Sequence, residues 1–389
     1  MIDESLYIGR EQTLVKHFVL DAYLERFAHK IGSWASAITY VDCFSGPWNA
    51  QSATFEDTSF GIAIHQLRRA RATYAERGRD IRLRCFFTES SPEAYARLKH
   101  FADQITDIEI QTRNLELEAA IPEIVQFTRG AGAGGFTFSF IDPLGWTGFA
   151  MDVITPLLQI TPGEVLVNFM TDFITRFVEI EDEATSAEFR KMFGTDIRTA
   201  VAGRHREDRE DVMVAEYMRN LAARGNFPFV ASAIVFKPEI ESTYFHLVYA
   251  TRNEAGLEAF KEVEKRMQPV MAAARGTAKA RKEESRTGQA SLALPGTAYR
   301  STKWERLRER YVRLSQDRVR ELLKGGRPLP YDLLWREALA RPLVWESDLK
   351  EWIKQWQESG RVTVHGLAPK ERVPKRNHDH MVVSTSGLL

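Results

Sequence analysis

A chain of 389 residues exceeds what one hydrophobic core usually organises, so two domains, or three, are expected. Its 44% hydrophobic and 27% charged residues are those of an ordinary globular protein; no apolar run approaches the roughly 20 residues needed to span a bilayer, and Met1-Ile2-Asp3-Glu4 lacks the basic start of a signal peptide, which makes the cytoplasm the expected compartment and a membrane partner unexpected. The zero net charge conceals a dipole: residues 261–389 hold 27 Lys and Arg against 16 Asp and Glu, whereas residues 1–260 hold 26 against 37, a distribution that suits a rear part meeting nucleic acid or an acidic partner, or a solvated basic helix.

Residues 11–30 carry apolar side chains at Leu14, Phe18, Ala22 and Phe27, which is helical spacing. Strand-like runs follow at 37–43, 82–88, 107–111, 135–141 and 163–169. They are continuous rather than alternating, as strands covered on both faces require. Helical stretches near 61–76, 91–102, 115–128 and 149–158 lie between them, so the alternation predicts a doubly wound parallel sheet. Ser91 before Pro92 and Glu93 reads as a helix cap, and Asn114 as a cap for a helix starting at Leu115.

A helical insertion is expected near 180–224, with helices at 184–194 and 206–223. Strands at 229–236 and 243–250 then form an antiparallel hairpin at the sheet edge. A parallel sheet finished by a hairpin is the plan of a class I methyltransferase, a Rossmann-like α/β fold. This first domain is placed at 1–274 with a closing helix at 254–274, and 275–299, poor in apolar residues, is expected to be a flexible basic linker. Residues 300–389 read as a very basic helix over 300–325 followed by helix, turn, helix and a short hairpin, which is a winged-helix pattern, with Ser347 as the cap of its second helix. Trp352 and Trp356, at helical spacing, are expected in its core.

Two runs carry the chemistry. Asp42-Cys43-Phe44-Ser45-Gly46-Pro47 and Asp142-Pro143-Leu144-Gly145-Trp146 each end a buried strand with an aspartate and a turn, the layout of ligand loops at the carboxyl edge of a parallel sheet. Each aspartate alone could equally cap a helix; their joint occurrence favours a nucleotide-type pocket. Cys43 and Cys85, the only cysteines, support no disulfide framework or Cys-type metal centre. His378 and His380 form at most a weak pair, so no metal site is expected. No phosphate-loop or nucleophile-elbow fingerprint occurs.

The Asp-Cys-Phe-Ser-Gly-Pro turn, Phe-Phe-Thr-Glu-Ser at 86–90, Asp-Pro-Leu-Gly-Trp, Leu-Val-Asn-Phe at 166–169 and His-Leu-Val-Tyr-Ala-Thr-Arg-Asn at 246–253 together resemble the three-Cys-motif partner proteins over residues 10–380. The resemblance implies a methyltransferase-like fold with a winged-helix tail and a three-cysteine, radical-enzyme-like partner.

In methyltransferase-like folds the first strand ends in an acid and a glycine turn that receive the methionine part of S-adenosylmethionine, a role that Asp42 and Gly46 fit, with Phe44 between them. Glu89 matches the carboxylate for the ribose hydroxyls and Asn114 the adenine contact. A second glycine of the usual fingerprint is missing: Gly46-Pro47-Trp48-Asn49-Ala50 either closes over the cofactor or fills its pocket. Asp142-Pro143-Leu144-Gly145-Trp146 resembles the Asp-Pro-Pro-Tyr loop of amino-methylating nucleic-acid methyltransferases, in which the Asp carboxylate and a proline carbonyl receive a base amine and the aromatic ring stacks on the base. Asp142, Pro143 and Trp146 are therefore the catalytic candidates. DNA or RNA is the expected partner, through Arg306, Arg310, Arg313, Lys350, Lys354, Lys370, Arg372, Lys375 and Arg376. Two functions remain open: a base-amino methyltransferase, or a catalytically silent adaptor that brings the three-cysteine partner to nucleic acid.

Overall fold

The computed structural model describes residues 2–47, 49–145, 147–180, 182–288 and 299–385. They divide into two compact units, residues 1–230 with 234–299, and residues 300–389 with 231–233.

The first unit opens with a 3₁₀ turn at Glu4–Tyr7 and the helix α1 (Glu11–Gly32), then alternates strand and helix: β1 (Ala37–Asp42), α2 (Ser59–Ala75), β2 (Arg82–Thr88), α3 (Pro92–Asp103), β3 (Glu109–Arg113), α4 (Leu117–Arg129), β4 (Gly135–Ile141), α5 (Met151–Leu158) and β5 (Gly163–Phe169). Four helices follow as an insertion, α6 (Thr171–Phe177), α7 (Glu183–Phe193), α8 (Arg198–Val201) and α9 (Arg206–Gly225). The strands β6 (Phe229–Phe236) and β7 (Thr243–Thr251) and the long helix α10 (Glu254–Thr287) complete it.

The strand order is β3-β2-β1-β4-β5-β7-β6. Strands β1 to β5 pair in parallel and β7 runs antiparallel to β5. This is the class I methyltransferase-like, Rossmann-like fold, with the hairpin strands at one edge. The central strands β1, β4 and β5 are buried along their whole length, which is why they read as mostly apolar runs. Register places Asp42 opposite Phe87 on β2 and Phe140 on β4. Glu89 and Asp142 each lie two residues beyond those partners, so the three acids gather at one carboxyl edge.

One face of the sheet is packed by aromatic rings. Phe138 on β4 stacks on Tyr40 of β1, with centroids 6.1 Å apart, and meets Tyr23 and Phe27 of α1 at 5.6 and 5.3 Å. At the opposite edge Tyr23 and Thr251 hydroxyls each donate to the Glu164 carboxylate at 2.6 Å, tying α1 and β7 to the start of β5.

Several local expectations need correction. Asn114 caps nothing: α4 begins at Leu117 after Glu116, and the Asn114 amide instead donates to the carbonyls of Glu89 and Ser90 at 2.7 and 3.0 Å. Ser91 does cap α3, receiving the Ala94 N–H. Residues 275–287 are not a flexible linker but the continuation of α10. Arg275 is buried there, its guanidinium donating to the Lys237 and Ile240 carbonyls and to Glu241, which outweighs the low apolar content that suggested a linker. Of the remainder, 289–298 lie outside the described residues.

The second unit contains α11 (Thr302–Leu323), β8 (Leu329–Pro330), α12 (Tyr331–Leu339), α13 (Glu346–Glu358), β9 (Val362–His365) and β10 (Met381–Ser384). Its three strands form an antiparallel sheet in the order β8-β10-β9. Trp352 and Trp356 are buried in its core, as their spacing predicts. The cap of α13 is Trp345 rather than Ser347, because Asp348 reaches back to receive the Trp345 N–H at 2.8 Å.

Replacing Phe138 by alanine removes the ring that α1 and β1 share, and should cost about 3–5 kcal/mol. Urea denaturation should show a lower midpoint with an unchanged slope; a midpoint equal to the parent's would refute this packing role.

Candidate active site at the carboxyl edge of the sheet

Asp42 ends β1 and is completely enclosed. Its carboxylate receives the Phe44 N–H and the Tyr40 hydroxyl, each at 3.2 Å, together with the Ser59 hydroxyl. Among the described residues no ion pair reaches it. Burial is the largest influence, pushing its pKa up to about 6, and the nearby Asp142 acts in the same direction while the three hydrogen bonds oppose it.

The turn after β1 is pinned to its neighbours: Cys43 N–H donates to the Phe140 carbonyl, Ser45 N–H to the Thr88 carbonyl, and the Thr88 hydroxyl to the Cys43 carbonyl. Farther along, Asp57 receives the N–H groups of Gln51 and Ser52 at 2.8 and 3.2 Å and pairs with Arg10. Thr58 then caps α2. The described residues of this segment, 43–47 and 49–58, are thus braced next to the end of β1. Phe44 packs on the buried core beneath it, Gly46 is half-buried, and Arg97 donates to the Pro47 carbonyl at 3.0 Å. Trp48, named as the residue that could fill the pocket, lies outside the described residues, as does Trp146.

Glu89, just past β2, is 5% exposed, and its carboxylate receives the Ser91 N–H at 2.7 Å. Asn114 reaches this segment through the two carbonyls named above, so its amide nitrogen positions the Glu89 turn.

Asp142 follows β4. Asn168, on the end of β5, donates its amide N–H to one carboxylate oxygen at 2.6 Å, and Lys16 of α1 pairs with the other. Pro143 is buried, but the next residue, Leu144, is 71% exposed, so the loop presents an apolar side chain beside a fixed carboxylate. Lys16 and Asn168 were not anticipated. Lys16 lies 126 positions away from Asp142, with no local signal; Asn168 was visible as the lone amide near the end of the strand Gly163–Phe169.

Of the nucleic-acid candidates, Arg306 and Arg313 on α11 are exposed, Arg310 is half-buried, and Lys370 and Arg372 are exposed between β9 and β10. Lys354 on α13 is half-buried. Lys350 pairs with Glu346 and Lys375 with Glu371, and the Arg376 guanidinium lies over the Trp335 ring at 4.3 Å, so these three already serve the unit's own structure. His380 is buried, receiving the Lys375 N–H. No cluster of three or more metal-ligating side chains occurs among the described residues, and no helix there is long and apolar enough to cross a membrane.

No family model and no curated protein matches the chain. Among solved structures it is similar to protein LPL1258 from Legionella pneumophila str. Philadelphia 1, of family DUF519, at 11% identity and a TM-score of 0.39, covering 67% of this chain and 92% of that one. It is also similar to a loganic acid methyltransferase with SAH, at 8% identity and a TM-score of 0.31, covering 75% of this chain and 93% of that one. Likenesses this low are weak, and the fold class rests on the strand order itself.

Because the fold favours the protonated form of Asp42, this group adds stability below about pH 4, and that contribution is lost as the pH rises through about 6. Asp42→Asn should therefore gain on the parent by about 3 kcal/mol between about pH 4 and about pH 7. Urea denaturation at both pH values measures it; an unchanged difference would show that Asp42 titrates normally.

Proposed function

We infer that the chain is an S-adenosylmethionine-dependent methyltransferase acting on nucleic acid. The supporting observation is Asp42, a buried carboxylate at the end of the central strand with no cation among the described residues to balance it. Enclosing a charge is costly unless an opposite charge joins it, so this position favours a cationic ligand. The fold and the donor set fit the cofactor's ammonium at Asp42 and its ribose hydroxyls at Glu89; when bound, it supplies an electrophilic methyl group. Receiving it requires the described residues after β1, 43–47 and 49–58, to shift, since Asp42 presents no surface in this conformation.

At the neighbouring loop, Lys16 and Asn168 hold the Asp142 carboxylate in one orientation, an acceptor suited to an amine or hydroxyl of the substrate. A carboxylate offers more acceptor positions than its two present partners occupy. Leu144 gives the same loop an apolar contact for a base.

A second reading has its own support. With Asp42 enclosed and Lys16 already on Asp142, the edge is also what a catalytically silent adaptor would retain, in keeping with the resemblance to proteins that accompany a three-cysteine partner. Co-purification of a co-expressed three-cysteine protein, without cofactor binding, would favour it.

The order of elements from α11 to β10 supports a winged helix, with α13 as the groove-entering helix and 366–380 as the wing. Neutralising Lys354, Lys370 and Arg372 together should lower the log-log salt slope of oligonucleotide binding by about 2–3. An unchanged slope in fluorescence anisotropy would remove this unit from the interface.

Calorimetry tests the cofactor directly. S-adenosylmethionine should bind the parent at about pH 7, with affinity falling about tenfold per pH unit below about 6, as Asp42 takes up its proton. Asp42→Asn should bind poorly at every pH, and Asp142→Asn should bind normally but transfer no labelled methyl to DNA or RNA. Absence of binding by the folded parent would overturn the reading.

A further inference from the structure

Beyond the carboxyl-edge acids, the first unit holds a second charged centre, in which one carboxylate is met by three cations from three separate elements. Asp172, on α6, has a side chain only 2% exposed. Arg176 of α6 pairs with it at 2.8 Å, Arg206 of α9 at 3.2 Å and Lys237, just past β6, at 2.8 Å. One cation would balance the charge. Three leave an excess that costs free energy in the absence of an anion, and two of them, Arg176 and Arg206, have side chains more than half exposed.

The cations are also held in place by other contacts. Arg176 lies over the Phe173 ring at 4.7 Å, Lys237 over the Tyr244 ring at 5.7 Å, and Arg206 reaches the Ser242 hydroxyl at 3.4 Å. Glu210, one turn along α9 from Arg206, pairs with the buried His246 at 3.0 Å. Two buried hydroxyls on the flanking segments, those of Thr171 and Thr243, have no hydrogen-bond partner.

The place matters as much as the charge. Asp172 is four residues beyond Asn168, which holds Asp142. The two lie at most about 14 Å apart along the chain.

We propose that Arg176, Arg206 and Lys237 form a phosphodiester-binding site that holds the backbone of the nucleic-acid substrate beside the Asp142 loop. The proposal rests on the nucleic-acid part of the reading above. Guanidinium forks match phosphate oxygens in pairs, and Asp172 keeps the forks and the ammonium together while the site is empty. The site is distinct from the basic second unit and lies within residues 1–260, whose net charge is negative, so attraction there is local.

Fluorescence anisotropy of the full chain with a labelled single-stranded oligonucleotide of about 20 nucleotides, as DNA and as RNA, tests it across a salt series. Arg206→Gln and Lys237→Gln should each weaken binding several-fold and lower the log-log salt slope by about 0.7–0.9. Arg206→Lys keeps the charge and should keep the parent's salt slope, while binding more weakly for want of the paired contacts. Arg219→Gln, thirteen residues along α9 and about 20 Å away, should leave the slope unchanged. Equal slopes in the parent and both cluster variants would overturn the site, as would an equal loss in Arg219→Gln or a parent that binds neither oligonucleotide. The cofactor titration separates the two ideas: a parent that binds no S-adenosylmethionine but loses slope in the cluster variants keeps the phosphate site and loses the methyltransferase.

Discussion

A carboxylate enclosed at the end of the central strand, with hydrogen bonds but no cation among the described residues, is the constraint around which the first unit is organised. Asp42 owes its place to β1, which lies between β2 and β4 and is covered on both faces, so the strand's last residue cannot reach water sideways. Its surroundings offer neutral donors from Tyr40, Phe44 and Ser59, which reduce the cost of burial without cancelling the charge. What remains is a site whose ionised form would gain from a cationic ligand.

The other buried acids show the contrast. Asp57 has Arg10, Asp142 has Lys16 and Asp172 has three cations, and all of these pairs except Asp172–Arg176 join elements distant in sequence, whereas Glu164, like Asp42, is met by hydroxyl donors. Arg10 and Lys16 both come from the N-terminal segment, so the start of the chain braces Asp57 and Asp142 together. Shifting the residues after β1 therefore involves the Arg10–Asp57 pair, while Asp142 can keep its orientation through Asn168. At Asp172 the imbalance is reversed, with surplus positive charge a few residues from the same edge. The two imbalances of opposite sign lie beyond the ends of β1 and β5, which flank β4 in the sheet.

The fold was legible in the sequence to the extent that burial determines composition. Strands covered on both faces are mostly apolar, so β1, β2, β4 and β5 were visible as runs interrupted only by residues such as Arg82, Arg84 and Glu164, and β6 and β7 as a pair separated by Lys237-Pro238 and the polar residues after it. The acids at the strand ends were legible for the same reason: a charge directly after a buried run marks the edge. What was not legible depends on distant partners. Lys16 reads as one polar position on an amphipathic helix until α1 is packed against β4, and Arg176, Arg206 and Lys237 meet only when the insertion folds back. Local composition also misled where tertiary contacts override it. Residues 275–287 look like a linker until Arg275 is seen gathering the carbonyls of the β6–β7 turn, and Asn114 looks like a cap until its amide is found on Glu89 and Ser90.

The most direct test is a carbon-13 NMR titration of the Asp42 carboxyl in the full chain, with and without S-adenosylmethionine. The free protein should titrate near pH 6, and the bound protein well below that, because the ligand's ammonium stabilises the carboxylate. An Asp42 that titrates in the ordinary carboxylate range, or whose titration is unmoved by the cofactor, would contradict the assignment of this edge as a cofactor site.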